Sequence, residues 1–149
     1  MPYLLDTNHC IYFLNGLEKM LEKRSAREQQ VITHVLACTD AVIYFSEATL
    51  GKLYYGVARS KRQAENLEKI VFLKRIFSAL PINEQIWRLF GETLALLKER
   101  GTPISERDLL IACTAKAYQC HLVTNDADFT VLPEGFIQCF DWTLPTVSR

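Results

Sequence analysis

Three aspartates, Asp6, Asp108 and Asp126, stand where the chain passes from one kind of element to another. Asp6 closes a short apolar run, Pro2-Tyr3-Leu4-Leu5, and Asp126 follows a second, His121-Leu122-Val123-Thr124. Asp108 lies just inside the helix that leads into that second run. Carboxylates gathered in one place repel each other and need a cation among them. A hard divalent ion such as Mg²⁺ takes oxygen ligands and keeps several waters, which suits phosphate chemistry. One or two such ions can activate water and stabilise in-line displacement at a phosphodiester. Asn8 and Asn125 could orient ligands or metal-bound waters, and Asp128 could add a further ligand or support one. Each acid also has a purely structural use. Asp6 could cap the helix that begins near Asn8, Asp108 could complement a helix dipole, and Asp126 and Asp128 could shape a turn.

The elements that must position these acids alternate along the chain. Apolar runs bounded by turn formers predict strands over 2–5, 41–45, 121–124 and 136–140, with a very short one at 80–82. Helical spacing predicts helices over 9–14 (ended by Asn15-Gly16), 25–38, 49–58, 61–79 and 85–100, and a helix after Ser105. Ser25 with Glu28 reads as a capping box, Asn83 and Ser105 as N-caps, and Gly101 as a helix stop. The helix after Ser105 is apolar around most of its surface and belongs in the interior. Strands that read as continuous apolar runs, alternating with helices, predict a three-layer α/β/α fold with a mostly parallel central sheet. In such sheets ligands sit beyond the carboxyl ends of the strands, where Asp6 and Asp126 fall. The whole of 1–149 reads as one domain, with no internal repeat or linker.

Composition narrows the function. The formal net charge is zero, so only local basic patches, around Lys19–Arg27 and Arg59–Arg62, could meet a polyanion. The five cysteines form no C-x-x-C pair, which argues against a disulfide framework or a zinc cluster and for a reducing cytoplasm. The histidines His9, His34 and His121 lack metal-ligand spacing and read as packing or surface residues. Strand-like structure from residue 2 leaves no visible signal peptide, and no apolar run is long enough for a membrane. G-x-x-x-x-G-K-[ST], G-x-G-x-x-G and G-x-S-x-G motifs are absent, as is a second aspartate two residues after Asp6, where Asn8 stands.

Taken in order, the pieces resemble the PIN-domain ribonucleases, and most closely the VapC-type toxins of toxin–antitoxin pairs. The resemblance is carried by Leu4-Leu5-Asp6-Thr7-Asn8, by the stretch from Ser46 to Gly56, by Ile104 to Ala112, by Leu122 to Phe129, and by Asp141-Trp142. It implies a compact α/β/α fold and a Mg²⁺- or Mn²⁺-dependent endoribonuclease that cleaves RNA phosphodiesters. It implies a cognate antitoxin that occludes the site, and assembly as a homodimer or a hetero-oligomer with that antitoxin. Asp6, Asp108 and Asp126 match the family's metal-binding catalytic acids, with Thr7, Asn8 and Asn125 as accessory polar groups.

One position departs from the pattern: where the family carries a glutamate, this chain has Lys52. Glu47 is a poor substitute, because five helical residues amount to about 140° of net rotation. An ammonium turned into the acidic group would pair with Asp6 or Asp108 and oppose a metal ion, whereas one bent outward would leave three acids that could still hold one ion. The resemblance therefore leaves two expectations, an endoribonuclease impaired by Lys52, or a catalytically inactive PIN-fold module that binds antitoxin or RNA.

Overall fold

The computed structural model describes residues 1–146. Its sheet has strands β1 (Tyr3–Leu5), β2 (Ile43–Ser46), β3 (Ser78–Leu80), β4 (His121–Val123) and β5 (Cys139–Phe140), in the spatial order β3-β2-β1-β4-β5. Every ladder among these strands is parallel. The helices are α1 (Thr7–Glu18), α2 (Ala26–Ala37), α3 (Glu47–Arg59), α4 (Gln63–Ile76), α5 (Glu84–Arg100) and α6 (Glu106–Ala117). No helix among the described residues is long and apolar enough to cross a membrane.

Alternation along each strand divides the core between the two faces of the sheet. Leu5, Phe45 and Val123 face a layer that includes Phe13 and Leu14 of α1, Val31 and Ile32 of α2, and Leu73 of α4. Leu4 and Leu122 face the other way, onto Ile111, Ala112 and Ala115 of α6. Helix α5 then packs on the outer side of α6 through Ile86 and Leu97 against Leu109 and Cys113. Helix α6 is thus covered on two sides, which is why it is apolar around most of its surface.

Several boundaries differ from the sequence-based expectation for identifiable reasons. Asn15-Gly16 does not end α1, which runs on to Glu18, and Gly16 lies where α2 passes close to it. A Cβ built there would lie 2.7 Å from Ile32 Cδ1 and 3.1 Å from Glu28 Cβ. The glycine serves packing and is paid for in helix propensity. Helix α4 buries Ile70 and Leu73, with Phe77 buried directly beyond its end, and leaves Lys74, Leu67 and Val71 exposed, so Lys74 does not interrupt the inward stripe. Strand β3 begins at Ser78, earlier than expected, and Pro81 falls just beyond it, so the missing N–H costs no ladder bond. On α2, Leu36 is exposed while Val31 and Ile32 are buried. Strand β5 is only Cys139–Phe140, since Phe136 and Ile137 pack beside α6 instead of joining the ladder.

Candidate metal centre

The register of β1 brings the acids towards one place. Leu5 lies opposite Phe45 on one side and Val123 on the other. Asp6 continues this edge, its N–H donating to the Val123 carbonyl at 3.0 Å. The strand order runs outward from β1 to β2 and β3 in one direction and to β4 and β5 in the other. The crevice between the carboxyl ends of β1 and β4 is therefore the topological switch point of the sheet.

Asp6 is buried, and its carboxylate has several partners. Oδ1 accepts the His9 backbone N–H at 2.9 Å, which makes Asp6 the N-cap of α1. The same oxygen meets His9 Nδ1 at 3.1 Å. Oδ2 accepts the hydroxyl of Thr124, the residue directly after β4. The Thr124 oxygen in turn accepts the Asp126 N–H at 3.1 Å. Asp126 then caps a 3₁₀ turn over Ala127–Val131 by accepting the Asp128 N–H at 2.8 Å.

Asp108 reaches the same region from α6. Ser105 is the N-cap of that helix and accepts the Asp108 N–H at 3.1 Å. Asp108, Asp126 and Asp128 each offer a carboxylate oxygen within 4.8 Å of the others. Asp6 stands outside this group of three, joined to it through Thr124. Asp108 and Asp126 are half-buried and Asp128 is exposed. Burial pushes the Asp108 carboxyl up, the Ser105 hydrogen bond opposes this, the charge of Asp126 adds to it, and Lys52 and Arg107 draw it back. An electrostatic cost of that kind is what a bound divalent cation would relieve, and an all-oxygen donor set suits Mg²⁺ or Mn²⁺.

Lys52 is half-buried on α3, one turn beyond Thr49. The Thr49 hydroxyl meets that of Thr7 at 3.1 Å in the interior, which fixes α3 against the first turn of α1. Ser46, the N-cap of α3, meets Thr114 of α6 at 3.2 Å. These two contacts hold the face bearing Lys52 near the carboxylates. The ammonium is close enough to act on Asp108, yet no ion pair within 4.0 Å joins it to an acid among the described residues. The direct pairing with Asp6 or Asp108 considered from the sequence is therefore absent. Glu47 is spent elsewhere, accepting the Ile82 N–H at 2.9 Å. Asn8 is exposed and Asn125 half-buried, on either side of the switch point. Sequence reasoning missed His9 and Thr124. The spacing of Asp6 and His9, three residues apart across a helix start, was the available signal for the first. Nothing in the sequence marked Thr124 apart from its place at the end of an expected strand.

An all-parallel sheet between helical layers, with carboxylates collected at the switch point, defines an α/β/α domain with an acidic centre. The PIN domain model matches residues 3–135, and the chain belongs to that family. Ribonuclease VapC2 of Rickettsia felis is 30% identical over 143 residues, covering 95% of this chain and 99% of the relative. Ribonuclease VapC1 of Haemophilus influenzae (strain R2866) is 30% identical over 144 residues, covering 96% of this chain and 99% of the relative. Among solved structures, a chain of VapBC2 from Rickettsia felis, bound to a DNA fragment from its promoter, superposes with a TM-score of 0.78. It is 28% identical and covers 95% of this chain and 99% of its own.

Proposed function

We propose that this chain is the toxin of a toxin–antitoxin pair, a Mg²⁺- or Mn²⁺-dependent endoribonuclease acting in the cytoplasm as one domain over residues 1–149. The observation that carries the reading is the meeting of Asp108, Asp126 and Asp128 within 4.8 Å at the switch point. Near-full-length similarity to proteins named ribonucleases supports the RNA substrate.

Asp6, Asp108 and Asp126 would hold the cation, with Asp128 as a further oxygen donor at the open side. When bound, the cation supplies an activated water and neutralises charge on the phosphodiester. Thr124 keeps Asp6 and the Asp126 loop in fixed relation. Asn8 and Asn125 flank the opening, where their amides can orient water or the phosphate. Thr7 acts through Thr49, holding α3 against the site.

The antitoxin finds an apolar surface on α3 and α4. Tyr54, Tyr55, Leu67, Val71, Phe72 and Ile76 are exposed there, and apolar exposure on adjacent helices suits a partner segment. The VapBC complexes of similar chains support such a partner, and a homodimer or a hetero-oligomer with the antitoxin is the assembly we expect.

A second reading has its own observation. Lys52 places a positive charge beside Asp108, which favours a module that keeps the antitoxin- or RNA-binding surface without hydrolysis. Cleavage of RNA in Mg²⁺ or Mn²⁺ by this chain, by Lys52→Glu and by Asp126→Asn separates the two. Cleavage by the unaltered chain that Asp126→Asn abolishes supports the nuclease. Cleavage by Lys52→Glu alone supports the inactive module. No cleavage by any of the three removes the nuclease assignment.

A further inference from the structure

His9 is wholly buried, three residues into the chain after Asp6, and both of its ring nitrogens are engaged. Nε2 lies 3.3 Å from the backbone nitrogen of Trp142. A backbone amide can only donate, so Nε2 is the accepting nitrogen and carries no hydrogen. The proton of the neutral ring is then on Nδ1, which lies 3.1 Å from Asp6 Oδ1 and donates to it. Asp6 Oδ1 therefore receives two N–H groups, one from the His9 ring and one from the His9 backbone.

Those two donors match in number the two lone pairs of Oδ1. Oδ2 receives the Thr124 hydroxyl and keeps one lone pair free. The carboxylate is thus held at both oxygens, and Oδ2 keeps acceptor capacity for an incoming cation. His9 is fixed in turn by the segment 141–144. The buried Trp142 stacks on His34 of α2, with ring centroids 5.5 Å apart and planes at 4°. The Leu144 carbonyl lies 2.8 Å from His34 Nε2. Asp141 stands 3.8 Å from His9 Nε2 and accepts the Thr143 N–H at 2.8 Å, which shapes the turn that presents the Trp142 amide.

We propose that His9 is a positioning residue for Asp6: docking of residues 141–144 sets its tautomer, and its Nδ1–H aims the Asp6 carboxylate at the metal centre. The proposal rests on the reading of Asp6 as a cation ligand. Partners that orient a metal-binding side chain in this way contribute roughly 10- to 100-fold to metal affinity.

The test is Mn²⁺ binding by calorimetry, with thermal unfolding in EDTA as the control for fold, in the unaltered chain and in Lys52→Glu. His9→Leu removes the donor and is expected to weaken Mn²⁺ binding about 10-fold or more. His9→Asn places an N–H near the Nδ1 position and is expected to recover most of that loss. A purely structural role would lower the unfolding temperature without this pattern of loss and recovery in affinity. Equal Mn²⁺ affinity in folded His9→Leu overturns the proposal, and so does a folded His9→Asn that recovers nothing. Asp6→Asn distinguishes the two levels. If Asp6→Asn binds Mn²⁺ as the parent does, or if neither parent binds Mn²⁺ at all, the ligand reading fails and the proposal falls with it. If Asp6→Asn loses binding and His9→Leu does not, only the positioning role fails. Should His9→Leu not fold, nitrogen-15 spectroscopy of the imidazole in the unaltered chain decides. An Nδ1–H tautomer whose Nδ1 resonance shifts on adding Mg²⁺ supports the proposal. An Nε2–H tautomer, or a ring unaffected by Mg²⁺ in a protein that binds it, overturns it.

Discussion

Replacing Lys52 by glutamate should strengthen divalent-metal binding by about two orders of magnitude. The change swaps a positive charge for a negative one at a half-buried position that already acts on Asp108. For any pair of charges about 6 Å apart under water-like screening, reversing a unit charge opposite a divalent ion alters the interaction by roughly 3 kcal/mol. That corresponds to about a hundredfold in the dissociation constant. A lower effective dielectric at the half-buried site would enlarge the effect, and salt would reduce it. Calorimetric titration with Mn²⁺ at low ionic strength reads the affinity directly. Single-turnover cleavage of RNA at sub-saturating Mn²⁺ reads its consequence. Lys52→Gln separates the loss of the cation from the gain of a ligand, and should recover about half of the free-energy change. Mn²⁺ affinities within twofold of one another across all three proteins would refute the electrostatic reasoning. The lysine would then have to point away from the ion.

Two further predictions concern the scaffold around α1 and α2. The Ser25 backbone N–H holds the Glu28 carboxyl below its ordinary 4.5, and Lys19 helps. Its stabilising contribution should therefore be complete above pH 4.5 and disappear as pH falls through the lowered folded-state value. Glu28→Gln should cost about 1 kcal/mol at pH 7 by urea denaturation, with the difference from the parent closing as pH falls below 4.5 through the lowered folded-state value. A difference that stays constant across that range would exclude the carboxylate as its source. Gly16→Ala should destabilise the fold by about 1 kcal/mol or more, because the clash with Ile32 and Glu28 outweighs the gain in helix propensity. Adding Ile32→Val should recover part of the loss, since Ile32 Cδ1 is the nearest atom to the new methyl.

The alternation of strands and helices was legible because each buried strand is a short apolar run closed by a polar residue. The caps were equally plain: Ser25 with Glu28, Asn83, Ser105 and the left-handed Gly101 each sit where local hydrogen bonding ends or begins a helix. What periodicity could not show was the cost of contacts between elements. Gly16 reads as a stop, yet it lies inside a helix, at a point where another helix passes too close for a side chain. Apolar residues also cover more than one side of α4, so no single stripe can be assigned without the sheet against which it packs. At the site, the acids on element ends were visible, whereas Thr124 was not. Its hydroxyl acquires meaning only when the pairing of Leu5 with Val123 sets β1 and β4 side by side. Lys52 stood out only against the family pattern, since a lysine on an amphipathic helix is unexceptional in itself.

The two uses open to Asp6, helix cap and cation ligand, are compatible, and one substitution separates them. As a cap, Asp6 needs only an oxygen for the His9 N–H, and asparagine caps helices about as well as aspartate. An amide oxygen in the Oδ1 position would still accept from both His9 donors. The amide nitrogen would then face Thr124, whose oxygen accepts the Asp126 N–H and can take a second donor if its own hydrogen rotates away. Asp6→Asn should therefore keep the fold and shift the unfolding temperature in EDTA by only a few degrees, or about 1 kcal/mol. As a ligand, the same position loses its charge and its free carboxylate lone pair. Mn²⁺ affinity should fall by at least about tenfold in the Lys52→Glu background, where binding is strongest. A large loss of stability with unchanged affinity would make Asp6 a cap alone and leave the cation to Asp108, Asp126 and Asp128. The opposite result would show why the chain places a carboxylate, instead of the serine or asparagine that caps α2, α3, α5 and α6, at the start of α1 directly after the central strand.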